Sequence, residues 1–243
     1  RDWRGAALLD ILAKNGIDTD GIVEVADRFT NTYIKPCKFG YSGEPTEDPR
    51  IDFEAREALP AQAEESIIRK LDDIAEKVDI ICVCDQMAFG CITEKVRNEI
   101  IRLGESGKKI IVDSRDRIAL YKNVIVKPND IEAGRAAGEE EPEKNARILS
   151  EKTGRPAIVT CGADGCIVFE NGKAAAVEAN KKLSGPTDIC GAGDTFLSAF
   201  SVSVASGRSL ADSAVIANAA SCVTVHKLGM TGTATREEIA AIL

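Results

Sequence analysis

The sequence predicts an α/β fold, a mainly parallel sheet flanked by helices, with a small β-arm. Three observations predict it. From residue 79 onward, apolar runs of strand length alternate with amphipathic runs of helix length, the order that produces parallel strands joined by covering helices. The longest apolar segments, such as DIICVC (79–84) and KIIVDS (109–114), are strand-sized and far too short to cross a bilayer. A loop rich in Gly, Pro and acids at 40–50 separates two short alternating runs, which reads as an arm projecting from the core. With 44% hydrophobic and 29% charged residues in 243, the chain has ample material for a buried core within one domain. We expect a single domain over 1–243 with its arm at about 30–54.

The elements follow in order. Residues 4–16, RGAALLDILAKNG, cluster Leu8, Leu9, Ile11 and Leu12 on a helix stopped by Gly16. GIVEV (21–25) reads as a short strand. Residues 30–39, TNTYIKPCKF, alternate as a β-arm with Pro36 at an edge position, and RIDF (50–53) is the returning strand. The run 61–77 is a helix carrying Ile67, Ile68, Leu71 and Ile74 on one side. Then come strand 79–84, helix 93–104, strand 108–114, strand 123–129, a helix from about Asn129 and another at 143–153. Residues 156–178 read as strands joined by turns at Ala163-Asp164 and Asn171-Gly172. Helices at 192–207, 210–226 and 235–243 close the chain.

Charge and cysteine usage exclude several functions. A net charge of −8 argues against broad nucleic-acid binding, which needs a basic face. No signal-peptide pattern opens the chain, so a cytoplasmic protein without membrane partners is expected. The eight cysteines form no C-x-x-C pair, and His226 alone could join them, so neither zinc nor disulfides are expected. Cys82 and Cys84 alternate along a strand expected to be buried, where thiols act as small apolar groups. GESGKK (104–109) has the wrong spacing for a P-loop, and no G-x-G-x-x-G follows an early strand.

The informative stretch is DICGAGDTFLSAF (188–200). Phe196, Leu197, Ala199, Phe200 and Val204 form an apolar helix face, so a helix begins near Gly191–Gly193. Gly-Ala-Gly leaves the first-turn N–H groups bare for an anion. Asp194 falls in that first turn, where the positive end of the helix dipole favours its ionised form. A carboxylate beside an anion-binding turn suits a reaction in which a hydroxyl loses a proton as a phosphoryl group arrives. Taken alone, the same residues also fit a turn and a helix cap.

DICGAGDTF resembles the C-terminal signature, D-x-x-G-A-G-D-x-F, of the ribokinase-like (PfkB) sugar kinases. KPNDIEAGRAAG (127–138) resembles that family's N-x-x-E segment through Asn129 and Glu132. VTCGADGC (159–166) is similar to its T-x-G-x-x-G strand-turn-strand, and IANAAS (216–221) to the helix lining its nucleotide pocket. These run in family order over nearly all of the chain. RIDFE (50–54) and HKLGMTGTATREEI (226–239) further resemble the heptose-7-phosphate kinase domain, whereas CDQMAFG (84–90) matches its counterpart only in part.

The resemblance implies ATP and Mg²⁺ as cofactors and a sugar or sugar phosphate as acceptor. It makes Asp194 the general base and the Gly191, Ala192 and Gly193 amides an anion hole. Asn129 and Glu132 would help hold hydrated Mg²⁺; Thr160, Gly162 and Gly165 would shape the nucleotide site; Asn218 would border the adenine. Asp188 would belong to a monovalent-cation loop in members activated by K⁺. The resemblance also makes the β-arm, about 30–54, a small β-strand lid; Lys35 and Arg50 are candidate lid contacts to a phosphorylated sugar, and the lid is expected to support a homodimer. Singly, each has a plainer reading: Asn129 with Glu132 as a helix cap, Gly162 and Gly165 as hairpin glycines, Asp188 as a turn residue, Lys35, Lys38 and Arg50 as exposed charges. Family members begin with a strand bearing a substrate-binding Asp and a Gly-rich sugar-gripping segment. No counterpart precedes RDWRGAALL, so the N-terminal part of the fold is expected to lie outside this sequence. The alternative readings are a nucleoside kinase of the same fold and a non-catalytic nucleotide-binding relative.

Overall fold

The structure, a computed structural model, describes residues 1–41, 45–180, 184–229 and 233–243. The chain divides into two compact units, Arg1–Lys77 with Met87–Arg97, and Val78–Gln86 with Asn98–Leu243. The expected lid, 30–54, falls inside the first.

In the first unit, α1 (Trp3–Lys14) is started by Asp2, whose side chain accepts from Gly5 N at 2.8 Å and from Thr30 N at 2.9 Å. Those two amide bonds, the Gly5 one foremost, hold the Asp2 carboxyl down at about 2. The arm is one interrupted antiparallel hairpin. Its strand β1 (Thr32–Ile34) is separated from β2 (Cys37–Phe39) by Lys35-Pro36, while β3 (Pro45–Glu47) pairs with β2 and β4 (Ile51–Phe53) with β1. Proline lacks the N–H a continuous ladder needs, which is why the expected 30–39 run is broken there. The expected strand GIVEV is not one. Ile22 N closes a turn onto Thr19 O at 2.9 Å, and Val25 O receives the Arg1 ammonium, so the alternating pattern finds no partner strand among the described residues. Helix α2 (Ala61–Ala75) completes this unit.

The second unit carries the sheet. Its strands are β5 (Ile81–Asp85), β6 (Ile110–Ser114), β7 (Ile125–Val126), β8 (Ala157–Thr160), β9 (Cys166–Glu170) and β10 (Lys173–Val177), in the order β10-β9-β8-β7-β6-β5. Strands β5 to β8 are parallel; β8, β9 and β10 are antiparallel. The helices are α3 (Glu94–Glu105), which the division between units crosses, α4 (Asp130–Ala137), α5 (Pro142–Thr153), α6 (Ala192–Ala205), α7 (Leu210–Val225) and α8 (Arg236–Ile242). None of the described helices is long and apolar enough to cross a membrane.

The core explains where α6 sits. Phe196, Leu197 and Phe200 of α6 pack with Ile111, Ile158 and Val168 of the sheet and with Ala214 and Ala217 of α7. Each buried Phe or Leu contributes about 1.5–3 kcal/mol relative to exposure. Ala214, Ala217, Ala219 and Ala220 are fully buried, so α7 can approach closely. Ser221 Oγ donates to Ala192 O at 3.0 Å, and Thr224 and Thr195 hydroxyls meet at 3.1 Å. The first turn of α6 is thereby anchored from α7.

The expected burial of Cys82 and Cys84 fails. All eight cysteines are free. Cys82 and Cys84 are exposed rather than buried, on β5, which ends the strand order of the six-stranded sheet. Cys82 Sγ still donates to Ser201 Oγ at 2.9 Å.

Candidate active site

The carboxyl ends of parallel strands, where α/β folds gather ligands, carry charge in this chain. Asp85 ends β5, Asp113 lies one residue from the end of β6, Lys127 directly follows β7, and Thr160 ends β8. Register brings these ends level, since Cys84 pairs with Asp113 and Val112 with Val126, and Lys127 N donates to Val112 O at 2.8 Å. Asp85 is structural. It accepts from Ser114 Oγ at 3.0 Å, Tyr121 OH at 2.9 Å and the Arg117 guanidinium, which leaves no oxygen idle.

Onto this edge comes the turn before α6. Gly191 takes the left-handed conformation, φ 79°, that a side chain disfavours, and supplies no side-chain cap. A helix start leaves four amides without intrahelical acceptors. Of those on residues 191–194, only Ala192 N meets an acceptor among the described residues, Ile189 O at 3.2 Å. The turn therefore offers Gly191, Gly193 and Asp194 N–H; the Ala192 amide assigned to the anion hole from the sequence is engaged in shaping the turn. Asp188 shapes it too, accepting from Cys190 N at 3.0 Å while its own N–H donates to Val225 O at 2.7 Å.

The Asp194 carboxyl is exposed and has neither ion-pair nor hydrogen-bond partner among the described residues. Its pKa is raised, first by lost hydration, then by Asp113, with Lys127 pulling the other way. The dipole argument from sequence pointed downward; crowding from residues distant in sequence reverses it.

Asn129 and Glu132 form a capping box on α4: Asn129 Oδ1 accepts from Glu132 N at 2.8 Å, and Glu132 Oε2 accepts from Asn129 N at 2.9 Å. The plainer reading is thus realised, but it uses one carboxylate oxygen. Glu132 Oε1 has no partner among the described residues. Burial raises this carboxyl, the Asn129 amide lowers it, and Asp113 raises it further. No group of three His, Cys, Asp or Glu among the described residues could cage a metal. A hard-oxygen donor of this kind fits Mg²⁺ that keeps its waters and phosphate ligands.

Thr160, Gly162, Gly165 and Asn218 form a second group. Thr160 bridges in parallel to Asn129, its N–H donating to Pro128 O at 3.0 Å. Gly162 (φ 55°) opens a short 3-10 turn ended by Gly165 (φ 92°), whose missing Cβ would stand 2.1 Å from Val177 O and 2.5 Å from Ala179 N. Asn218 is buried, its amide donating to Val177 O at 3.2 Å and Glu178 O at 3.0 Å. It holds the end of β10 and presents no idle amide hydrogen.

Lys35 and Arg50 belong to the other unit. Lys35 is exposed at the break between β1 and β2. Arg50 binds Asp52 through Nε at 2.7 Å and a terminal nitrogen at 2.8 Å, with its guanidinium 4.4 Å over the Tyr33 ring. Lys38 pairs with Asp48 at 2.7 Å.

Sequence reasoning missed Asp113 and Lys127. Both are buried, 2.9 Å apart, and Lys127 Nζ lies 4.0 Å from where a Cβ on Gly193 would be. The available signal was a charged residue closing an otherwise apolar strand, in IIVDS and VIVKPN.

Comparison with known proteins bears on the family and the fold. The bifunctional protein HldE of Gluconobacter oxydans is 32% identical over 231 residues, covering 92% of this chain and 47% of that protein. The HldE of a Nitratiruptor species is 31% identical over 197 residues, covering 78% and 41%. The chain spans about half the length, or less, of these curated relatives. Among solved structures, phosphofructokinase-2 from Escherichia coli in complex with potassium has a TM-score of 0.78 at 18% identity, covering 99% of this chain and 78% of that one. Arabidopsis thaliana ribokinase, complexed with ribose and ATP, has a TM-score of 0.72 at 20% identity, covering 100% and 78%. The fold is ribokinase-like. A family model described as pfkB family carbohydrate kinase matches residues 2–236, which includes the capping box, the 3-10 turn and the uncapped start of α6. With the match running through every part of the site, the chain belongs to the pfkB family of carbohydrate kinases.

Proposed function

We propose that the chain carries the phosphoryl-transfer centre of an ATP-dependent kinase acting on a hydroxyl of a sugar or sugar phosphate. The observation that carries this is that the Asp194 carboxyl and, on the same helical turn, the amides of Gly191, Gly193 and Asp194 have no partner among the described residues. Bound ATP and Mg²⁺ would supply the transferable group and offset its charge. In this reading Asp194 accepts the acceptor hydroxyl proton, and the amides donate to the charge that builds on the transferring group. Glu132 Oε1, with Asn129 fixing its helix, would accept from the metal's water shell. Thr160, Gly162 and Gly165 shape the nucleotide site, and Asn218 bounds the adenine side by holding residues 177–178. Asp188 orders the loop a K⁺ ion would join. From the lid, Lys35 and Arg50 are candidate contacts to an acceptor phosphate, the latter only by exchanging Asp52. A lid-mediated homodimer and a cytoplasmic setting complete the proposal.

Heptose 7-phosphate is the acceptor we favour, on the likeness of residues 50–54 and 226–239 to the heptose-7-phosphate kinase domain; of the latter stretch, 230–232 lie outside the described residues. ADP release should be measured with heptose 7-phosphate, fructose phosphates, ribose and adenosine. Selective turnover of the heptose phosphate is expected. Preference for adenosine would move the assignment to a nucleoside kinase, and nucleotide binding without turnover of any acceptor would defeat the kinase reading.

Gly193→Ala separates chemistry from folding. An added Cβ meets only the Lys127 ammonium, at 4.0 Å, and the backbone there is ordinary helix. Helix propensity predicts a gain of roughly 0.5–1 kcal/mol in stability. The methyl group would crowd the idle amides, so kcat should fall at least about tenfold. Thermal melting and steady-state rates on one preparation check both halves.

A further inference from the structure

Lys127 is among the most buried side chains in the chain, 2% exposed, yet it carries a positive charge. A buried ammonium needs acceptors for three N–H groups. Among the described residues it has one, Asp113 Oδ2 at 2.9 Å. Asp113 is braced from its other side by Gln86 Nε2, which donates to Oδ1 at 3.1 Å. The carboxylate therefore works as a bracket, fixing where the ammonium stands. That place is under the start of α6: Nζ is 4.0 Å from the position of a Gly193 Cβ and 5.9 Å from the centre of the Phe196 ring. Asp194, Glu132 and Cys84 all feel its charge as a downward pull on their pKa values. This cation thus stands among the base candidate, the metal-shell candidate and the amide turn, with N–H directions to spare among the described residues.

A purely structural ion pair would not need this position. Burying a charged pair is at best a weak source of stability, and an apolar pair of similar volume would serve folding as well.

We infer that Lys127, held in place by Asp113, is a further catalytic residue that donates to the transferring phosphoryl group from beneath the Gly191–Asp194 turn. The inference rests on the kinase reading above and adds a residue to it. A fixed ammonium set against developing phosphoryl charge acts more strongly in the transition state than in the ground state, because no reorganisation is needed when the charge appears. Asp113 is the positioning residue.

The test uses the full chain as K127M, which keeps length and removes charge, and D113N. Three quantities are read: kcat and KM for ATP, melting temperature, and affinity for ADP with Mg²⁺ alone and with aluminium fluoride as a mimic of the group in flight. K127M should lower kcat about 10²–10³-fold, leave ADP affinity within about threefold, and lose the affinity gained by adding aluminium fluoride. D113N should lower kcat at least about tenfold with ADP affinity kept, and it carries the test if K127M does not fold. Turnover within about threefold of the parent, or equal losses in both binding modes, overturns the role of Lys127. If the parent chain shows no gain from aluminium fluoride, the kinase reading falls and takes this inference with it; a gain in the parent that K127M retains sinks the inference alone.

Discussion

Asp194→Asn is expected to lower kcat about 10²–10⁴-fold while ADP binding persists and the melting temperature at neutral pH stays level or rises. The rate loss follows from removing a general base, whose contribution is of that order. The amide keeps the size of the side chain and, being in the first helical turn, disturbs neither the Phe196–Phe200 face nor the Ser221 and Thr224 anchors. The stability change follows from proton linkage. In the folded chain the Asp194 carboxyl has a pKa above its usual 3.8, through lost hydration and the Asp113 charge. Between the unfolded and folded values the native state holds more of this proton than the unfolded state, so stability declines as pH rises through that window. Above the folded value the whole deficit is present. Asparagine cannot ionise and abolishes it, so the stability difference between variant and parent should shrink as pH falls below 3.8. The acid limb of kcat/KM in the parent should for the same reason have its midpoint above the usual aspartate value. Near-parental turnover by the variant, or a variant clearly less stable than the parent at pH 7, would contradict the assignment.

That opposition between activity and stability explains what the sequence shows of the site and what it hides. The start of α6 is legible because its cause is local: two glycines around one alanine, followed at once by an apolar helix face. The alternation of strands and helices from residue 79 is legible for the same reason, period by period. The protonation tendency of Asp194 is hidden, because it is set first by lost hydration around the turn and then by Asp113, on a strand far earlier in the chain. Lys127 and Asp113 are hidden as a pair for a similar reason. Each alone reads as the polar end of a strand, and only the parallel register of β6 with β7 makes them one feature. Asn129 and Glu132 show that two readings of a motif need not compete, since a capping box occupies one oxygen of Glu132 and leaves the second. GIVEV fails in the opposite direction: its alternation is real, but a strand exists only where a neighbour completes its ladder.

Gly165→Ala should destabilise the chain by about 3 kcal/mol or more, against about 1 kcal/mol for Gly162→Ala three residues away. Both glycines have positive φ, 92° and 55°, and both belong to the expected nucleotide-site turn. They differ in what surrounds them. Nothing lies within 4 Å of a Cβ on Gly162, so alanine there costs only the left-handed backbone. At Gly165 the added atom would stand 2.1 Å from Val177 O, 2.5 Å from Ala179 N and 2.7 Å from the Glu178 carbonyl carbon, all main-chain atoms. Relief requires residues 177–179 to move. Val177 is paired with Cys166 across the β9–β10 ladder, and the carbonyls of Val177 and Glu178 are both held by Asn218 of α7. Displacing them would strip a buried amide of its acceptors, a further cost on the order of 1–3 kcal/mol. Denaturant unfolding of the two variants measures the difference directly, and equal midpoints would show that the close approach is not what requires glycine at 165. Because Asn218 is hydrogen-bonded to residues 177–178, Gly165→Ala should also weaken nucleotide binding under conditions where the chain remains folded, whereas Gly162→Ala should not.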